Sequence, residues 1–257
     1  MNRIDQLFKS KKERILNIYF TAGYPKLDDT TTIIKALEDS GADIVEIGMP
    51  FSDPVADGPT IQQSNAIALN NGMSIKLLFE QLSNIRTAVS MPIILMGYIN
   101  PVLQFGVEAF CKACKKAGVD GLILPDLPLE EYLRLYKPVF EAHGLFNIQL
   151  LTPQTSDTRI RAIDDESNGF IYMVSSASTT GAKSTISENQ TEYFERVNAL
   201  GLKNPKLIGF GISNAKTFDR ACENSNGAII GSAFIKAISG GGDLINSIDS
   251  FIQTIEK

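Results

Sequence analysis

Eight short apolar runs pace the chain: "LNIYFTA" (16–22), "DIVEIGM" (43–49), "PIILMG" (92–97), "DGLILPD" (120–126), "LFNIQLL" (145–151), "GFIYMVS" (169–175), "KLIGFG" (206–211) and "GAIIGS" (227–232). They are rich in β-branched residues and nearly continuous. That suits strands covered on both faces of a parallel sheet, not half-exposed strands of alternating polarity. Between them lie amphipathic helical patterns at 29–40, 74–89, 105–117, 130–142, 192–200 and 244–255. Glycine often closes the helical segment before the next strand, as in "DSGAD", "KAGVD" and "AHGL", the position where a left-handed cap ends a helix. Eight strand–helix alternations in 257 residues give about 32 residues per unit, the size of a (β/α)8 barrel. A doubly wound open sheet would use fewer strands and a dinucleotide fingerprint, and no G-x-G-x-x-G follows any run. The expected fold class is therefore α/β, a single (β/α)8 TIM barrel domain over residues 1–257.

Three segments exceed this repeat. Ile4, Leu7, Phe8 and Ile15 are spaced as one helical face with charges between them, which predicts an extra N-terminal helix and not the apolar core of a secretory leader. Between the second and third runs about 40 residues intervene, more than the usual crossover. They accommodate a long loop (50–59), an extra helix after strand 2 (60–70) and the regular helix (74–89). Thr60 and Gln63 are expected to form a capping box at the start of the extra helix, and "NNG" at 70–72 to stop it. After the sixth run comes "SASTTGAKSTISENQ" (176–190), polar and glycine-containing. In a barrel the second and third of these segments fall at the C-terminal face, where active sites lie and long loops serve as lids.

Composition removes several function classes. With 24 Lys+Arg against 29 Asp+Glu the formal charge is −5, which lacks the basic face of a nucleic-acid binder. The one long uncharged stretch, 87–107, contains Pro92, Gly97, Asn100, Pro101 and Gln104, so a strand and loop explain it better than a membrane span. A cytoplasmic protein is expected. Three cysteines make no disulfide framework, and Cys111 and Cys114 lie in a helical pattern without a second ligand pair, so no metal site is expected. The only histidine, His143, sits at a probable helix end. Acid–base chemistry must therefore rest on carboxylates, tyrosines or lysines.

Glu46 stands inside an apolar run, between Val45 and Ile47. Burying an ionised carboxylate is expensive unless something compensates it. A proline-stiffened loop follows with Pro50, Pro54 and Pro59, and it carries Asp53 and Asp57. Two carboxyls in different environments hold different pKa values, which lets one site perform acid and base steps. "GFGIS" (209–213) and "GSAF" (231–234) end the seventh and eighth runs. Loops at those two places commonly bind phosphate, where glycine lets the backbone approach and a helix begins. Ser213 is expected to cap the next helix. "TTGAKST" (179–185) lacks the glycine–lysine adjacency of a P-loop. Tyr19, Phe20, Tyr98, Tyr172 and Phe210 all fall at strand ends, as core aromatics or as the lining for a flat substrate.

At this point the chain resembles a known family. "VEIGMPFSDPVADGPTIQ" is similar to the signature of the tryptophan synthase alpha subunit. "YFTAGYP" (19–25), "LMGYINPV" (95–102), "DGLILPDLPLEE" (120–131), "STTGA" (178–182), "GFGIS" and "GAIIGSAFIK" (227–236) follow in family order. The resemblance implies a barrel that cleaves indole-3-glycerol phosphate to indole and glyceraldehyde 3-phosphate in the last stage of tryptophan biosynthesis. It implies no cofactor in this chain and a beta subunit partner, carrying pyridoxal phosphate, in an alpha2beta2 tetramer. By motif position Glu46 and Asp57 match the catalytic carboxylates. Tyr19, Tyr98, Tyr172 and Phe210 match substrate-lining aromatics, Thr180 a lid threonine, and Gly181, Gly211, Gly231 and Ser232 the phosphate site. Pro50, Asp53 and Pro54 match the partner-facing loop.

Two positions depart from the family pattern: Tyr19 stands where Phe is common, and Ser178 where glycine is frequent. Whether Glu46 acts as acid, base or both stays open at this level. So do a stand-alone indole-releasing lyase of the same fold and a catalytically weak allosteric partner subunit, although intact Glu46 and Asp57 count against the latter. A different phosphosugar barrel would share the glycines but not "PFSDPVADGPTIQ".

Overall fold

A computed structural model of the chain describes residues 1–174, 188–209 and 211–256. Its strands are β1 (Ile15–Thr21), β2 (Ile44–Gly48), β3 (Ile93–Met96), β4 (Gly121–Ile123), β5 (Phe146–Asn147), β6 (Leu150–Leu151), β7 (Ile171–Val174), β8 (Lys206–Gly209) and β9 (Gly227–Ile230). All pairings are parallel, in the order β5-β4-β3-β2-β1-β9-β8-β7-β6. The two ends of that order are halves of one strand passage. At its centre the Ile148 N–H donates to Leu122 O on one side at 2.9 Å, and Gln149 O accepts from the Tyr172 N–H on the other at 2.9 Å. The ladder therefore closes on itself. The nine segments make an eight-stranded barrel, as the eight apolar runs predict.

Alternation along the strands fills the barrel. Ile15, Ile44, Ile94, Ile123, Ile148, Phe170, Leu207 and Ile229 form one buried inner cluster. The bottom of that cluster is stoppered by Ile4 of α1 (Arg3–Ser10), the expected N-terminal helix. Asn2 caps α1 and its Nδ2 donates to the carbonyls of Asp120 and Gly144. Arg3 and Arg86 both grip the buried Asp120 carboxylate, at 3.0 and 2.7 Å. Ile15, placed by its spacing on the helical face, is instead the first residue of β1.

The outer layer comprises α2 (Thr30–Asp39), α3 (Pro59–Asn70), α4 (Ile75–Leu82), α5 (Ile99–Phe105), α6 (Val107–Ala117), α7 (Leu129–Glu131), α8 (Lys137–Ala142), α9 (Asp157–Glu166), α10 (Glu188–Ala199), α11 (Ala215–Cys222), α12 (Ser232–Ile238) and α13 (Leu244–Glu256). Among the described residues no helix is long and apolar enough to cross a membrane. The extra helix after strand 2 is α3, but its start differs from expectation. Gly58 is the N-cap with Pro59 in the first turn, and no side-chain capping bond forms. Proline's fixed φ already sets that turn. Segment 99–105, expected as loop, is α5; Asp126 accepts its first N–H, from Ile99, and substitutes for a local cap. Asn214, not Ser213, caps α11.

The helix expected over 130–142 is interrupted by a π-helical stretch, Tyr132–Tyr136, where the Lys137 N–H bonds back to Tyr132 O. Pro138 has no N–H and its ring would strike the carbonyl four residues back, so a wider turn relieves it. Cys111 and Cys114 are both buried on α6, and His143 caps α8 with Nε2 at 2.8 Å from Glu108 Oε1.

Candidate active site

The C-terminal end of the barrel holds the two carboxyls. Glu46 occupies the centre of β2, in register with Tyr19 of β1, and is 1 % exposed. Asp57 lies eleven residues on in the loop before α3 and is 7 % exposed. Its N–H is fixed to Pro54 O at 3.0 Å, and its carbonyl accepts from Gln62 Nε2 at 2.8 Å. The loop thus closes on itself and turns Asp57 inward. Asp53, in the same loop, stays exposed and accepts a hydrogen bond from the Ser52 hydroxyl. Pro50 and Pro54 are half-buried, and Val55 between the two aspartates is 82 % exposed.

Burial dominates the protonation of both groups. It lifts Glu46 to about 8; a hydrogen bond from Asn17 Nδ2 at 3.1 Å opposes that rise, and the nearby Asp57 charge adds to it. Asp57 rises to about 6 through burial, against a hydrogen bond from the Tyr98 hydroxyl at 3.0 Å. At neutral pH, therefore, Glu46 mostly retains its proton and Asp57 is mostly ionised. Burial also pushes the phenols of Tyr19 and Tyr172 well up, and the charges of Glu46 and Asp57 push both further. That mutual influence places the two carboxyls and both tyrosines in one cluster.

Glycines make the space these rings occupy. A Cβ on Gly48 would stand 2.7 Å from Tyr19 Cζ, and one on Gly209 would stand 2.5 Å from Tyr172 Cζ. The Tyr19 hydroxyl is held by a directed chain. Ser64 gives its single proton to Ile61 O (2.8 Å), so Thr21 donates to Ser64 (2.6 Å) and Tyr19 to Thr21 (3.4 Å). Tyr98, at the end of β3, stacks obliquely on Phe51 with ring centroids 5.2 Å apart. Phe20 faces the opposite side of β1 from Tyr19 and packs in the layer beneath the helices.

The glycines at the strand-eight and strand-nine ends line the same face. Gly211 is exposed, has φ +81°, and a Cβ there would meet nothing within 4 Å among the described residues. Gly231 is the N-cap of α12, its Cα beside the Tyr19 ring, and Ser232 opens the helix. Thr180, Gly181 and Phe210, like Ser178, lie outside the described residues. Asn17, Thr21, Ser64 and Gly48 had no place in the expectations. The one available signal was a polar Asn17 inside "ILNIYF".

A family model, "Tryptophan synthase alpha chain", matches residues 6–255. The chain is 58% identical over 255 residues to the tryptophan synthase alpha chain of Flavobacterium psychrophilum, covering 99% of this chain and 100% of that one. It is 52% identical over 257 residues to that of Parabacteroides distasonis, with full coverage of both. Its structure superposes on the crystal structure of the alpha chain from Legionella pneumophila subsp. pneumophila with a TM-score of 0.88. Sequence identity there is 32%, over 99% of this chain and 96% of the other. An alpha-subunit mutant structure from Pyrococcus furiosus gives a TM-score of 0.87 at 33% identity, over 96% of this chain and 99% of that one. With a family model spanning nearly its whole length and relatives above half identity, the chain belongs to the tryptophan synthase alpha chain family.

Proposed function

We propose that the chain cleaves indole-3-glycerol phosphate to indole and glyceraldehyde 3-phosphate, with Glu46 and Asp57 as its catalytic residues. The observation that carries this reading is a pair of buried carboxyls at the C-terminal end of the barrel, Glu46 on β2 and Asp57 on the loop after it, clustered with Tyr19, Tyr98 and Tyr172; burial raises the pKa of both, Glu46 more than Asp57. The reaction breaks the bond between the indole ring carbon and the glycerol side chain. Adding a proton to that ring carbon draws positive charge to the indole N–H. Removing the proton of the adjacent glycerol hydroxyl then forms the aldehyde and returns the breaking bond's electron pair to the ring. One proton enters and one leaves.

Glu46 is assigned to this proton traffic, since a group titrating near working pH gives and takes protons with similar ease. Asp57 is assigned to the indole N–H, whose developing charge a fixed carboxylate stabilises in a water-poor site. Tyr19, Tyr98, Tyr172 and Phe210 are assigned to the indole pocket. Gly181, Gly211, Gly231 and Ser232 are assigned to the phosphate, and Thr180 to a lid that reaches toward Asp57. The exposed, positive-φ Gly211, whose Cβ position meets no described residue, and the helix start at Gly231 support the phosphate assignment.

Pro50, Asp53 and Pro54 are proposed to meet a tryptophan synthase beta chain in an alpha2beta2 tetramer, with pyridoxal phosphate held by that partner. The exposed Val55 between the two aspartates supports this. Indole release from indole-3-glycerol phosphate, measured with and without a beta chain, tests the reading. Weak release alone that rises with the partner supports it. Full release alone would favour a stand-alone lyase, and none in either condition a purely allosteric subunit.

A further inference from the structure

Asn17, Tyr19 and Thr21 are buried polar side chains at alternate positions of β1, and so share the face that looks into the barrel. Tyr19 and Thr21 are held by the chain that ends on α3. Asn17 has a different arrangement. It is fully buried, its Nδ2 donates to Glu46 Oε2 at 3.1 Å, and its Oδ1 meets no donor among the described residues. A buried amide oxygen without a donor destabilises a fold. An aliphatic side chain of similar size, like those of Leu16 and Ile18 on either side, would avoid that penalty. Barrel packing alone therefore gives no reason for an amide at this position, whereas its contact with Glu46 does.

We propose that Asn17 is a positioning residue for Glu46, its amide N–H orienting the ionised carboxylate and its amide oxygen, once the head group turns over, accepting the proton-bearing hydroxyl of the neutral acid. This rests on the reading of Glu46 as the group that exchanges protons with substrate. An amide carries a donor and an acceptor on one planar head. A half-turn of that head serves both states of the carboxyl without moving it, and the oxygen now without a donor is the acceptor the neutral state requires. Among the titratable groups around it, Asp57 from the loop before α3 acts on Glu46, while Tyr19 of β1 and Tyr172 of β7 lie close enough for the Glu46 charge to act on them. Burial and the Asp57 charge favour the neutral acid, and the Asn17 N–H favours the carboxylate. Asn17 thus sets where in the pH range Glu46 changes state.

The test follows the Glu46 carboxyl by carbon-13 NMR in the substrate-free full chain, with Glu46→Gln used for assignment, in the parent, Asn17→Leu and Asn17→Asp. The bond that Asn17 makes here holds the Glu46 pKa down on balance, so its loss moves the Glu46 midpoint upward by about one pH unit, a tenfold change in proton affinity, and further in Asn17→Asp, which adds a second negative charge. Steady-state indole release by Asn17→Leu falls about tenfold at neutral pH with KM within threefold, and the Glu46 limb of its pH profile moves upward with the NMR midpoint. Should Asn17→Leu fail to fold, Asn17→Asp, of the same shape, reports the same midpoint. A midpoint unchanged in the folded variants overturns the proposal, even if stability and kcat drop together as a structural role would have it. A displaced midpoint with parental turnover would uphold the contact and overturn the catalytic reading of Glu46 instead.

Discussion

The Tyr98 hydroxyl donates to Asp57 Oδ2 at 3.0 Å while accepting from the Ala56 N–H at 2.9 Å. One phenol thus fixes both the backbone and the carboxylate of the loop after β2. The donated bond lowers the pKa of Asp57, and burial raises it to about 6. Tyr98→Phe removes the lowering influence, so the carboxyl titrates higher and is less ionised at any given pH near 6. The acidic limb of kcat/KM for indole release then moves upward. A limb displaced by one pH unit corresponds to a loss of about tenfold on its acid side, with recovery toward parental rates at more alkaline pH. A limb that stays in place shows that Tyr98 does not tune Asp57.

Gly211 combines a left-handed φ of +81° with a position where a Cβ would meet no described residue within 4 Å. Gly211→Val strains the backbone by about 1–2 kcal/mol and fills the space assigned to phosphate. KM for indole-3-glycerol phosphate is expected to rise at least tenfold while the dissociation constant for indole alone changes less than threefold. Isothermal titration with indole beside steady-state kinetics separates the two. Equal losses would mark general misfolding of the strand end.

Asp53 is exposed on the loop whose Asp57 is buried, and the two are joined by a short proline-bracketed turn. In the proposed complex, a partner gripping the outer carboxylate would bias the aim of the inner one. Coupling of about 1–3 kcal/mol corresponds to roughly 5- to 150-fold in rate. Asp53→Ala is expected to keep basal indole release and lose most of the stimulation by a beta chain, whereas Asp57→Asn lowers both. Full stimulation of Asp53→Ala would remove this loop from the coupling route.

Glu46 also makes stability depend on pH. Its folded-state pKa of about 8 lies above the ordinary carboxyl value of 4.5, so the native protein holds a proton that the unfolded chain releases. Stability is full below about pH 4.5 and falls as pH rises toward 8, by a total on the order of 5 kcal/mol. Glu46→Gln has no such proton to lose. Urea denaturation should find the variant more stable than the parent near pH 8.5 and the gap largely closed near pH 4.5. A gap independent of pH would mean that Glu46 is not held as a buried neutral acid.

The barrel was legible because strands buried on both faces need continuous β-branched runs, and each of the eight runs carries a strand. Features set by contacts between distant residues were not. The start of α5 depends on Asp126 in another loop, and the π-helical turn on the carbonyl that Pro138 excludes. At the site, Glu46 and Asp57 stood out as carboxyls in costly surroundings. Their protonation states follow from burial in the folded barrel, opposed by Asn17 on β1 and by Tyr98 just after β3, side chains that only the strand order brings to them. The rooms for Tyr19 and Tyr172 come from the missing side chains of Gly48 and Gly209, which a one-dimensional pattern reads as ordinary glycines.

Glu46→Gln preserves size and hydrogen bonding but cannot exchange a proton, so it isolates the central claim. The decisive measurement is the rate of indole release at saturating indole-3-glycerol phosphate by this variant against the parent, each alone and with a beta chain. Loss of a positioned acid–base group predicts a fall of about 10²- to 10⁴-fold in kcat, with substrate still bound at near-parental affinity. A rate within threefold of the parent would contradict the account.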